Sequence, residues 1–155
     1  MNMPAAKKAI VIGASSGIGK ALAMELARKG YAVGITSRRI ELLEEIKNEI
    51  QGPCFVKQMD VTQTETARGQ LLELIHEMGS ADLIIVCAGI GFRMPIMDWN
   101  ADKSTIDVNV CGFAALTNAA VNYFIEQKHG HVVGISSVAA IRGHGDAPAY
   151  GASKA

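Results

Sequence analysis

Short runs of consecutive apolar residues alternate along this chain with longer stretches in which apolar positions recur every three or four residues. Ala9–Ile12 is the first run, followed by Tyr31–Thr36, Cys54–Met59, Leu83–Val86 and His131–Ser136. Each has the length of a strand. The stretches between them predict helices over Lys20–Lys29, Ile40–Ile50, Thr64–Met78 and Ser104–Lys128. In the second of these, Leu42, Leu43, Ile46 and Ile50 fall on one helical face with charges between them. Gly30, Gly52-Pro53 and His129-Gly130 supply the stops. Leu83–Val86 is wholly apolar, as a parallel strand covered on both faces should be. Strands separated by helices of this length predict an α/β fold: a doubly wound parallel sheet with right-handed crossovers and helices on both faces. No repeat or low-complexity linker interrupts the pattern, so residues 1–155 read as one domain.

In such a sheet, ligands sit beyond the carboxyl ends of the strands. After the first strand comes Gly13-Ala14-Ser15-Ser16-Gly17-Ile18-Gly19. A glycine turn leading into a helix offers backbone N–H groups and the positive end of the helix dipole to a phosphate. A nucleoside-triphosphate loop is the first alternative, because Gly19-Lys20 resembles its end. It requires Gly at 14 and Ser or Thr at 21; the chain has Ala at both, so the Mg²⁺-binding hydroxyl is missing. The spacing G-x-x-x-G-x-G still serves a dinucleotide. One glycine makes the turn, one admits the pyrophosphate, and one lets the helix pack on the sheet, with Ser15 and Ser16 adding hydroxyls.

The second strand ends in Ser37-Arg38-Arg39, with no carboxylate until Glu41. A carboxylate here would accept the adenosine ribose 2′-OH of NAD, whereas a guanidinium accommodates the 2′-phosphate of NADP. This predicts NADP over NAD, with Arg38 on the phosphate and Ser37 beside it. The plain alternative, two solvated arginines, sets cations against a helix N-terminus, where the dipole disfavours them.

Near the end stands Tyr150-Gly151-Ala152-Ser153-Lys154. On a helix, Tyr150 and Lys154 share a face. An ammonium beside a phenol favours the phenolate, which suits proton exchange with a carbonyl or alcohol oxygen. Ser137, at the end of the fifth strand, is placed to polarise the same oxygen. Either feature alone is commonplace: most Tyr-x-x-x-Lys pairs are surface contacts, and most strand-end serines form turns.

Taken together, I-G-A-S-S-G-I-G at 12–19, D-V at 60–61, C-A-G at 87–89, N at 109, I-S-S at 135–137 and Y-G-A-S-K at 150–154 resemble the short-chain dehydrogenase/reductase family, its single-domain Tyr-x-x-x-Lys branch. The resemblance implies a Rossmann-like sheet of strand order 3-2-1-4-5. It implies Tyr150 as general acid/base, Lys154 tuning it and bonding the nicotinamide ribose, and Ser137 holding the substrate oxygen. Asn109 would bind a water linking Lys154 to solvent, or else bond within the helix packing. On the cofactor, Gly13, Ser15, Ser16, Gly17, Ile18 and Gly19 would seat the pyrophosphate. Asp60 and Val61 would contact adenine, and Ala88 and Gly89 would pass the adenosine ribose. Two departures stand out. Cys87 replaces the family's Asn, and the sequence stops at Ala155, before the family's last strands and substrate-covering loop. A longer enzyme is expected, forming a homodimer or homotetramer, with the fifth strand otherwise an open edge. An NADP(H)-binding or sensing protein without chemistry, or an inactive fragment, is the alternative.

Composition narrows the partners. Lys+Arg and Asp+Glu balance at 15 each, which argues against nucleic acid or an anionic membrane. Apolar residues make up 49% and aromatics 5%, so the core must be aliphatic. The three cysteines, Cys54, Cys87 and Cys111, are scattered, with no Cys or His pair at metal-ligand spacing. They read as reduced thiols of a cytoplasmic protein that uses no metal. Only four apolar residues precede the glycine turn, too few for a signal-peptide core, and no apolar run reaches the roughly 20 residues of a membrane span. The family resemblance implies a small carbonyl or alcohol as substrate; Phe92, Met94, Met97 and Trp99 offer an apolar wall for its pocket or else anchor their loop in the core, and His144 either contacts the substrate or stands solvated on its loop.

Overall fold

Four parallel strand pairs build the sheet in the order β3-β2-β1-β4-β5, in a computed structural model that describes residues 6–155. The strands are β1 (Lys8–Ile12), β2 (Ala32–Ser37), β3 (Cys54–Gln58), β4 (Leu83–Val86) and β5 (His131–Gly134). Between them run α1 (Gly17–Arg28), α2 (Ile40–Glu49) and α3 (Thr64–Met78). After β4 come α4 (Trp99–Ile106), a π-helical segment (Asp107–Gly112) and α5 (Phe113–Gln127). A short 3₁₀ turn (Val138–Ala140) and α6 (Pro148–Lys154) follow β5. Residues 1–5 lie outside the described residues.

Successive side chains of a strand point to opposite faces, and the two core layers divide accordingly. Ile10 and Ile12 of β1 join Ile84 and Val86 of β4 under α3 and α5, where Leu71, Leu74 and Leu116 are fully buried. Val11 and Ile85 turn the other way and pack with Val33, Ile35, Leu43 and Ile46 beneath α1 and α2. Truncating one of the large members, such as Leu74, to alanine should cost about 2–5 kcal/mol. Gly34 marks how closely α3 lies on the sheet: a Cβ there would stand 2.6 Å from Met78 Sδ.

The expected elements are present, with shifted ends. α1 begins at Gly17 rather than Lys20, so the last two glycines of the turn are already helical. The long helix begins at Trp99, not Ser104, because the Asp98 carboxylate caps the Asn100 N–H at 3.0 Å. β5 ends at Gly134, although the Ile135 N–H still bonds the Val86 carbonyl at 3.2 Å. Trp99–Gln127 runs as 29 helical residues, long and apolar enough by length and composition to cross a membrane, contrary to the expectation that no stretch is. Here Val108, Leu116, Ala120 and Phe124 of that stretch belong to the core beside the sheet.

Candidate active site

A crevice of about 640 Å³ opens across the carboxyl ends of the strands, lined from Arg38 and Asp60 on one side to Ser137 and Tyr150 on the other. Its floor is the glycine turn. The N–H groups of Gly13 and Ala14 both bond the Thr36 carbonyl at 2.9 Å, tying the turn to β2. Gly13 has φ +92°, and a Cβ on it would lie 2.6 Å from the Ala88 backbone, so only glycine fits between β1 and β4. Gly17, with φ +56°, faces open space instead. Ser16 precedes α1 without capping it through its side chain, and no acidic residue stands in the first turn. The positive end of α1 therefore meets the crevice unanswered.

Above the turn lies a residue not singled out from the sequence. Arg39 Nη2 donates to Ser15 Oγ at 2.8 Å and Ser16 Oγ at 3.0 Å. Arg38, expected at the phosphate, lines the same crevice, while its carbonyl accepts from Gln58 Nε2 at 2.9 Å. Ser37 is buried, and its hydroxyl oxygen accepts the Arg39 N–H at 2.9 Å. Residue spacing does not announce which of these two neighbouring arginines reaches Ser15 and Ser16. On the adjoining wall, Asp60 Oδ1 accepts from the Thr62 N–H (3.0 Å) and hydroxyl (2.8 Å), and Val61 is buried against the π-helical segment at Gly112.

The other side is assembled from four separate stretches. Lys154 Nζ donates to the Ile135 carbonyl at 3.0 Å, and a Cβ on Gly89 would meet that nitrogen at 3.0 Å. Tyr150 and Lys154 stand one turn apart on α6, where Pro148 at the helix start removes an N–H that would have no partner. Ser136 Oγ donates to the Lys154 carbonyl at 2.6 Å and holds that end of the helix. Ser137 Oγ accepts the Ala139 N–H at 3.1 Å, leaving its proton free to be donated into the crevice that it lines.

Asn109 is buried in the π-helical segment, 5% exposed, and points inward from the widened turn. Its Oδ1 accepts the Ile90 N–H at 2.8 Å, while its Nδ2 donates to the Ile90 carbonyl (2.7 Å) and to Ser153 Oγ (2.9 Å). Ser153 in turn donates to the Tyr150 carbonyl at 2.9 Å. Asn109 thus bonds the loop after β4 and, through Ser153, the helix bearing Tyr150. Of the two alternatives for Asn109, bonding within the packing accounts for both amide protons; one Oδ1 lone pair is left over.

Gly91 and Ser153 are further site residues that the sequence did not flag. A Cβ on Gly91 would overlap the Tyr150 ring, standing 2.8 Å from Cγ and 2.9 Å from Cε2, so the ring rests on bare backbone. Ser153, three residues after Tyr150 on a helix, carries a local signal; Gly91, 59 positions away, carries none. Cys87 lines the crevice half-buried. Burial pushes its thiol pKa up, and the nearby Lys154 ammonium offsets part of that rise. Among the described residues no three His, Cys, Asp or Glu side chains are grouped to hold a metal.

Residues 7–155 match the short chain dehydrogenase family along nearly the whole chain. The chain belongs to that family. An uncharacterised oxidoreductase of Myxococcus xanthus is 38% identical over 96% of this chain and 61% of its own length. An NADP-dependent 3-hydroxy acid dehydrogenase of Escherichia coli O157:H7 is 30% identical, over 94% of this chain and 60% of that protein. Among solved structures, an NAD⁺-bound xylitol dehydrogenase superposes with a TM-score of 0.90 at 28% identity, covering 96% of this chain and 59% of that one. The chain thus spans about three-fifths of the length of these relatives. Membership of the short-chain dehydrogenases accounts for the parallel sheet of order 3-2-1-4-5 and for the crevice beyond its strand ends.

Proposed function

We propose that this short-chain dehydrogenase is an NADP(H)-dependent oxidoreductase that interconverts a carbonyl and a secondary alcohol, with Tyr150 as general acid/base. One observation carries the reading: Tyr150, Lys154 and Ser137 line the same crevice as the glycine turn and Arg39. A dinucleotide fits that crevice. The pyrophosphate would lie on the free N-terminus of α1 at Gly17–Gly19, where the absence of a Cβ at Gly17 leaves room. Adenosine would lie between Asp60-Val61 and Ala88-Gly89. Arg39, with Arg38 beside it, would hold a 2′-phosphate, and no carboxylate ends β2 to favour the bare ribose of NAD. When bound, the nicotinamide exchanges hydride with the substrate carbon.

The chain's own groups supply the rest. Tyr150 gives its phenolic proton to the carbonyl oxygen in reduction and takes one back in oxidation. Ser137 donates its hydroxyl proton to the same oxygen, stabilising charge that develops there. Lys154 has two N–H groups beyond the one on Ile135, enough to hold a ribose hydroxyl. Asn109 positions Tyr150 through Ser153, and its spare lone pair suits a water beside Lys154. The substrate is a small molecule, of which the 3-hydroxy acid of the Escherichia coli relative is one example. We read residues 1–155 as one nucleotide-binding unit of a cytoplasmic homo-oligomer, on the family resemblance and the unpaired thiols. Balanced charge supports neither nucleic acid nor membrane as partner.

Tyr150→Phe in the whole protein is the test. Turnover should fall on the order of 10²–10⁴-fold while NADPH binding is kept. Retained turnover removes Tyr150 from the chemistry. Saturable NADPH binding without turnover of any carbonyl by the unaltered protein favours a non-catalytic nucleotide-binding role.

A further inference from the structure

The substrate end of the crevice carries a charge pattern that the proton-transfer groups do not use. Arg93 and His144 both line it, together with Phe92 and Tyr150. Arg93 is exposed and pairs with no carboxylate among the described residues. Asp60 is the single carboxylate that lines the crevice among the described residues. It follows β3, at the opposite edge of the sheet from β5, four strand spacings away, which is on the order of 15–20 Å. Asp146 lies on the facing loop but does not line the crevice. Lys154 has its ammonium on the Ile135 carbonyl. Arg93 thus has no carboxylate partner among the described residues, and it lines the same crevice as Tyr150.

The loop holds Arg93 there from both sides. Two residues before it, the Gly91 backbone lies against the Tyr150 ring. One residue after it, the Met94 N–H bonds the Asp146 carbonyl at 2.8 Å, joining this loop to the one that carries His144. Two residues of chain span at most about 7 Å, so Arg93 stays beside the acid/base group. Extended arginine side chains reach further than that span, and their planar fork matches a carboxylate with two parallel bonds.

We propose that Arg93 is the substrate-recognition residue and that the substrate is an acid: a keto or hydroxy acid whose carboxylate docks on Arg93, with His144 as a second donor, while its carbonyl or hydroxyl oxygen meets Tyr150 and Ser137. This rests on the acid/base reading of Tyr150, and it adds what that reading leaves open, the class of molecule reduced. The apolar side chain of Phe92 lines the space between the anion and the reacting carbon. A neutral ketone would leave the guanidinium without its partner and gain nothing from it.

The experiment compares pyruvate, acetoacetate and levulinate with their methyl esters, using the whole protein and NADPH. The unaltered enzyme should prefer at least one acid over its ester. Arg93→Gln should raise KM for that acid on the order of 10- to 100-fold, the value of a charge-assisted bidentate contact, with kcat and ester turnover little changed. Arg93→Lys should recover part of the loss, and NADPH affinity should be the same in all three proteins, which confirms that they are folded. Equal effects of Arg93→Gln on acid and ester overturn the proposal and leave Tyr150 in place. So does reduction of the esters with no preference for any acid. Failure to reduce any member of the panel while NADPH binds overturns both the acid proposal and the reading beneath it.

Discussion

Around the glycine turn the crevice is made of backbone; around Tyr150 it is made of side chains drawn from distant stretches. On the first side, β1, β2 and β4 are buried strands, and the turn between β1 and α1 is fixed by the Thr36 carbonyl and by close approach to Ala88. On the second, Tyr150, Ser137, Asn109 and Gly91 come from four separate stretches. The loops there leave Ile141 94% exposed, Val138 80% and Ile96 83%. A Met94–Asp146 backbone bond links those two loops. The difference teaches where each of the two proposed functions would be encoded. Phosphate binding needs N–H groups and a helix end, which a seven-residue loop provides by itself. Proton transfer needs groups aimed at one atom, which only long-range packing provides.

The sharpest way to break the first half is Gly19→Ala. A Cβ there would overlap the Gly13 carbonyl oxygen and stand 2.9 Å from its carbon, with backbone on both sides and nothing able to yield. We expect a loss of about 2–3 kcal/mol in stability, read from denaturant unfolding, together with loss of NADPH binding. A normally stable variant that binds NADPH would show that the turn relaxes and would contradict the rigid picture.

Gly91→Ala addresses the second half. Its methyl group must displace the Tyr150 ring, so kcat should fall on the order of 10- to 100-fold, since a misplacement near 1 Å is that costly. NADPH affinity and unfolding midpoint should barely move. Full activity would mean the ring finds its place without the bare backbone.

A smaller effect separates the two arginines. Arg39→Gln should weaken NADPH about 10-fold relative to NADH, and Arg38→Gln less, because it is the Arg39 guanidinium that lies on Ser15 and Ser16. The reverse order would return the 2′-phosphate to Arg38. Smallest of all is the thiol at the border of the two halves. With its pKa raised by burial, Cys87 is a protonated thiol at neutral pH and should alkylate slowly, with the rate rising as pH increases toward that pKa. Saturating NADPH should slow it further. Rapid alkylation at neutral pH, indifferent to NADPH, would place Cys87 outside the crevice.

The strands were legible because each is a short apolar run between glycine and proline stops, and the strand order followed from the family resemblance. The glycine turn and the Tyr150–Lys154 pair were legible for a related reason: their residues act on one another across six or fewer positions. The onset of α1 at Gly17 and of the long helix at Trp99 was harder to read, because glycine is a poor helix former and an aspartate cap competes with loop readings. The π-helical turn around Asn109 has no signature in D-V-N-V-C-G at all.

The sequence alone determined the succession of strands and helices and the placing of Tyr150 and Lys154 one helical turn apart, because hydrophobic periodicity, helix ends and i,i+4 neighbours are set by local chain geometry. The tertiary structure decided that Arg39 rather than Arg38 reaches Ser15 and Ser16. It decided that Asn109 clamps Ile90 and Ser153, and that Gly91 seats the Tyr150 ring. Those contacts join residues 19 to 59 positions apart. Their existence depends on how the strands stack and where each loop leaves the sheet.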